Sequence, residues 1–139
     1  MLPNLDRAIR RFAAADRDTR LEALLDLSRK LPPLPPGLQE AQAREQHRVP
    51  ECQTPVYLWL ESAPQGFQLH AEVPRESPTV RGFVTLLVES LAGASREDIL
   101  GLPDDLLHAL RLDEALGMTR THGLTAIVRR LKRMAAESG

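Results

Sequence analysis

Four prolines fall within five residues in the run Leu31-Pro32-Pro33-Leu34-Pro35-Pro36. No helix survives such a run, because each ring fixes φ and removes an amide donor. An extended polyproline conformation is expected instead. The run therefore separates a helical head from everything that follows. Upstream, Leu5, Ala8, Ile9 and Phe12 recur at helical spacing, with Asn4 as the expected N-cap. Leu21, Leu24, Leu25 and Leu27 form a second apolar stripe, with Asp16 or Asp18 as its cap. The prolines read as a stiff connector rather than a peptide-docking motif.

Beyond them, Gly37 to Gln46 is polar and alanine-rich, as in a short helix or loop. The period then changes. Val56, Leu58 and Leu60 alternate with Tyr57, Trp59 and Glu61, and Phe67, Leu69, Ala71 and Val73 alternate with Gln68, His70 and Glu72. Period two on both sides of Ser62-Ala63-Pro64-Gln65-Gly66 predicts an antiparallel hairpin. The polar face of the second strand is expected in solvent, and Tyr57 and Trp59 beneath a flanking segment. Helical spacing returns at Val80, Phe83, Val84, Leu87 and Leu91, with Gly93 as the stop. Ser95-Arg96-Glu97-Asp98 is a capping-box pattern. Short helices are expected around 98–100 and 105–110. A last amphipathic helix, capped by Thr121, carries Leu124, Ile127, Val128, Leu131, Met134 and Ala135. Its Arg129, Arg130, Lys132 and Arg133 read as a solvated face. The fold class is α+β, one domain over residues 1–139, with a small antiparallel β-sheet packed by several α-helices.

Composition narrows the function classes. With 18 basic and 19 acidic residues the net charge is -1, which points to neither nucleic acid nor an anionic membrane. Aromatic residues make up 4%, too few for base-stacking surfaces. No apolar run reaches the length of a membrane span. The start, Met1-Leu2-Pro3-Asn4-Leu5-Asp6, lacks a basic segment before an apolar core, so no secretory signal is expected. A single cysteine fits a reducing compartment, and the cytoplasm is the expected location.

That cysteine, Cys52, lies between the proline-rich stretch and the first strand, where a loop tip is expected. One thiol builds neither an internal disulfide nor a multi-cysteine metal site. On spacing alone it fits a reactive thiol and a structural one equally, free cysteines being among the most buried residues. His47 and Arg48 are near enough in sequence to favour a thiolate, while Glu51 opposes it. Pro50 and Pro55 restrict the loop backbone. His47, His70, His108 and His122 show no metal-ligand spacing. No local pattern supports a cysteine-peptidase base, and no phosphate-binding glycine loop occurs.

Four segments, taken together and in order, resemble the SufE family of sulfur acceptors. They are Arg29-Lys30-Leu31-Pro32-Pro33-Leu34-Pro35, Arg48-Val49-Pro50-Glu51-Cys52-Gln53-Thr54-Pro55-Val56, Val80-Arg81-Gly82-Phe83-Val84-Thr85-Leu86-Leu87 and Met118-Thr119-Arg120-Thr121-His122-Gly123-Leu124. The resemblance implies the fold shared with IscU-type scaffolds, with a third short strand near Gln46–Val49. It implies that Cys52 accepts persulfide sulfur from a cysteine desulfurase of the SufS kind. The chain would stimulate that desulfurase and hand the sulfur to an iron–sulfur scaffold complex of the SufBCD kind. No cofactor or metal is implied. Arg120 matches the family's arginine before the final helix, and Gln53, Glu76 and Arg48 are carried over as supporting or partner-binding residues. The chain is expected as a monomer or weak homodimer. Two departures stand out. Glu51 replaces a glycine, setting a carboxylate beside the thiol, and Pro55 removes an amide near the first strand. The alternative is a docking activator of a desulfurase that transfers no sulfur itself. A cluster scaffold would need several thiolates.

Overall fold

The helical head forms as its spacing predicts. In the computed structural model, which describes residues 2–38 and 45–138, two helices precede the prolines: α1 (Pro3–Ala14) and α2 (Arg17–Ser28). Leu5, Ala8 and Phe12 of α1 and Leu24 of α2 are buried. Asn4 is not the N-cap. The helix begins at Pro3, with Leu2 at the capping position, because proline at the first helical position gives up an amide that would have no partner there anyway. Asn4 instead accepts a hydrogen bond from the Arg7 guanidinium. At α2 the cap is Asp16, which accepts from the Thr19 amide at 2.8 Å.

Residues 31–35 form neither helix nor strand, and Leu31 and Leu34 are buried in the interior. Short 3-10 turns follow at Pro36–Leu38 and Glu45–His47, and the rest of the Gly37–Gln46 stretch, 39–44, lies outside the described residues.

The hairpin consists of β1 (Tyr57–Ala63) and β2 (Gly66–Glu72), antiparallel, with register running from Tyr57↔Glu72 to Ala63↔Gly66. Ser62, Ala63 and Gly66 are paired, so the connection is tighter than its composition suggests. Phe67, Leu69 and Ala71 face the core, whereas Gln68 is exposed and His70 and Glu72 are half-buried. His70 is drawn in by Glu61 across the strands, Nε2 to Oε1 2.8 Å. Trp59 is buried against His47, ring centroids 5.1 Å apart, and beside Tyr57 at 6.4 Å. The third strand expected near Gln46–Val49 shrinks to one isolated bridge, Arg48↔Tyr57. Pro50 has no amide with which to extend the ladder.

Helix α3 (Pro78–Leu91) is buried on almost every side, packed between α1, α2 and β2. It stops at Leu91, and Gly93 takes φ +78°, a conformation that glycine adopts without a Cβ clash. Next comes α4 (Arg96–Leu100), closed by a complete capping box. The Asp98 amide donates to Ser95 Oγ at 3.0 Å, and the Ser95 amide to Asp98 Oδ2 at 3.1 Å. Ser95→Ala is therefore expected to cost about 1 kcal/mol, read as a lower urea midpoint at unchanged slope. An unchanged midpoint would show that water replaces the cap without loss.

Helices α5 (Leu106–Ala109) and α6 (Leu112–Glu137) complete the chain. Thr121 lies inside α6 and does not cap it. The element is two helical stretches joined at a non-helical Gly117 (φ 79°, ψ 170°), and Leu112 and Ala115 are buried in the first of them. Beyond the break Leu124, Ile127, Val128, Leu131 and Ala135 fill the core. Arg129 and Arg133 are exposed. Among the described residues, no helix is long and apolar enough to cross a membrane.

Candidate functional site

The loop before β1 is closed on itself. Val49 and Val56 are fully buried, and the Val49 amide donates to the Val56 carbonyl at 2.8 Å. The Cys52 amide donates back to the Val49 carbonyl at 3.2 Å. Between those anchors Pro50, Glu51, Gln53 and Pro55 are exposed, while the Cys52 side chain turns inward and is 7% exposed. Its thiol donates to the Gly123 carbonyl of α6 at 3.3 Å. A Cβ at position 123 would stand 3.4 Å from Sγ and 3.6 Å from the Cys52 Cα, at ordinary contact distance, so loop and helix touch here.

Glu51 carries no strain. Among the described residues, Arg111 is the sole non-glycine with positive φ. Pro55 lies ahead of the first residue of β1, where no ladder bond is lost.

A cleft of about 260 Å³ opens beside the thiol. The loop contributes Cys52, Gln53 and Thr54, the start of α3 contributes Glu76, Ser77 and Thr79, and α6 contributes Thr119, Arg120 and Gly123. Thr54 and Ser77 hydroxyls meet at 3.2 Å, and Arg120 Nη1 donates to Thr79 Oγ1 at 3.4 Å. Of the residues singled out by sequence, Cys52, Gln53, Glu76 and Arg120 share this cleft. Arg48 does not line it, being placed at the bridge with Tyr57. Thr54, Ser77, Thr79 and Gly123 escaped the sequence reading as site residues. Gly123 and Thr54 carried a signal, since they lie in the same segments as Arg120 and Cys52.

A family model described as SufE, Fe-S metabolism associated domain, matches residues 6–135. The chain belongs to the SufE family. An uncharacterized SufE-like protein of Mycobacterium tuberculosis is 34% identical over 128 residues, spanning 91% of this chain and 87% of the relative. An uncharacterized SufE-like protein of Synechocystis is 28% identical over 134 residues, covering 96% and 80% respectively. The solution structure of a hypothetical protein from Thermus thermophilus superposes with a TM-score of 0.85 at 33% identity. That match covers 99% of this chain and 97% of the other, so the α+β architecture is shared with a solved structure. The family description ties the chain to iron–sulfur metabolism, and the SufE match spans every element that closes the cleft.

Within this SufE fold the thiol is held protonated. Burial, and secondarily the Glu51 carboxylate, push Cys52 up to about 11. Taking a thiolate out of water costs free energy, and a neighbouring anion adds to that cost. His47, which lies near in sequence, packs on Trp59 instead. None of the described histidines lines the cleft, and His122 is exposed on α6. Acyl transfer would need a general base beside the thiol. Among the described residues no group of three or more His, Cys, Asp or Glu is placed to hold a metal. Thiol exchange needs neither a base relay nor an oxyanion hole, only a thiolate, and Cys52 shares its cleft with Arg120. Met118, 90% exposed, immediately precedes Thr119 and Arg120 and sets an apolar group near the cleft's α6 side.

Proposed function

We propose that Cys52 accepts sulfur from the persulfide of a cysteine desulfurase and passes it to an iron–sulfur scaffold complex. The supporting observation is a single thiol in a cleft that it shares with Arg120, Glu76 and Gln53. In the transfer step the Cys52 thiolate attacks the outer sulfur of the donor persulfide. A new S–S bond forms at Cys52 while the donor's S–S bond breaks, and the donor cysteine leaves as a thiolate. The Cys52 proton must depart first, so docking of the desulfurase has to draw the thiol out of its buried position. Arg120 then supplies the cation that offsets Glu51. Gln53 and Glu76 meet the partner at the rim, and Arg48 steadies the loop through its bridge to Tyr57. The whole chain acts as one domain, a monomer or weak homodimer in the cytoplasm, and its docking stimulates the desulfurase.

Incubation with a cysteine desulfurase and cysteine, followed by mass spectrometry, tests this reading. The expected result is a gain of one sulfur atom on the peptide containing Cys52, removed by reductant and absent from Cys52→Ser. The raised affinity of Cys52 for its proton favours one second reading, a docking activator that takes no sulfur. Under that reading wild type gains no mass, and Cys52→Ser accelerates the desulfurase as well as wild type does.

A further inference from the structure

A second cavity, of about 350 Å³, lies on the other side of Pro78 from the Cys52 cleft. Its walls carry three arginines from three separate segments: Arg29 at the end of α2, Arg75 before α3, and Arg81 within α3. Among the described residues no carboxylate lines it, the remaining walls being Leu25, Ser28, Leu31 and Pro78. Arg81 is held rigidly, Nε donating to the Ser28 carbonyl at 2.8 Å and Nη1 to the Val73 carbonyl at 2.6 Å. Those bonds use two of the five N–H donors of its guanidinium. Arg75 is close enough to lower the proton affinity of Arg81, an effect second to that of burial. Among the described residues Arg75 meets no carboxylate. Arg29 pairs with Asp26 at 3.0 Å, a carboxylate outside the cavity walls and 70% exposed.

Like charges gathered around one concavity repel unless an anion sits among them. Guanidinium groups present paired N–H donors that match the oxygens of a phosphate. We propose that Arg29, Arg75 and Arg81 form a binding site for a phosphate group, either the free ion or the charged end of a small phosphorylated molecule. Leu25, Leu31 and Pro78 supply an apolar wall for the remainder of such a molecule.

Calorimetric titration of the full chain with inorganic phosphate, at ionic strength held constant with chloride, tests the site. One saturable site per chain is expected. Arg75→Gln, which removes no contact holding the helices together, weakens binding at least tenfold, and Arg29→Gln weakens it similarly. Cys52→Ser binds as wild type does, since the two cavities are distinct. A parallel titration with phenyl phosphate separates the sources: tighter binding than inorganic phosphate identifies an esterified ligand, and equal or weaker binding identifies the free ion. Absence of saturable binding, or equal affinity in wild type and Arg75→Gln, overturns the proposal.

Discussion

Gly82→Ala is expected to cost about 3 kcal/mol or more, a large share of the stability of a domain of this size. A Cβ at position 82 would lie 2.1 Å from the Leu24 carbonyl oxygen and 2.8 Å from its carbon. Both belong to helical backbone, so no rotamer change relieves the overlap, and α2 and α3 must separate. Separation would loosen the contacts of Leu24 and Phe83, both fully buried. Gly37→Ala is the matched control, because a Cβ there meets none of the described residues within 4 Å. It should stay within about 0.5 kcal/mol of wild type. Urea unfolding of the three proteins decides the matter, and a Gly82→Ala midpoint equal to that of Gly37→Ala would refute the close approach of the two helices.

The second large effect is on the thiol. At pH 8, Cys52 of the folded chain should react with a thiolate-selective alkylating reagent at least about 100-fold more slowly than in the urea-unfolded chain. The folded thiol ionises near 11, against about 8.5 for an unhindered cysteine, and shielding of Sγ slows the reagent further. The rate should rise about tenfold per pH unit up to that value. The folded state holds the proton more tightly, so this group's contribution to stability is fully present below about 8.5. It is lost as the pH rises towards 11. Equal rates in folded and unfolded chains at pH 8 would mean that the thiol is open to solvent.

Local patterns in the sequence were sufficient for the hairpin, the Gly93 stop and the capping box at Ser95, because each depends on neighbours along the chain. The start of α6 was not legible in the same way. A helix does begin just after Gly117, a few residues ahead of Thr121, and only the burial of Leu112 and Ala115 shows that another helical stretch precedes it. Asn4 misled for a related reason, since Pro3 at the first helical position removes the need for its cap. The site was half legible. Cys52 and Arg120 stand out in their segments, yet periodicity tells which face is buried and not which faces meet. The sequence therefore did not reveal that Thr54 would reach Ser77, or that the Gly123 carbonyl would receive the thiol. Arg48, next to the loop in sequence, is turned by its pairing with Tyr57 into a wall of the sheet instead.

The hairpin and α3 are fastened at both ends. Near the turn, the Phe67 amide bonds the Ala94 carbonyl and the Gly93 amide bonds the Phe67 carbonyl, each at 2.8 Å. At the far end Arg81 ties α3 to Val73, and Ser77 is joined to the cysteine loop through Thr54. Cross-bracing of this kind makes sheet, loop base and α3 one rigid jaw, with the Thr119–Gly123 turn of α6 as the opposing one. The cleft is thus a seam, stitched by the Cys52–Gly123 and Arg120–Thr79 contacts.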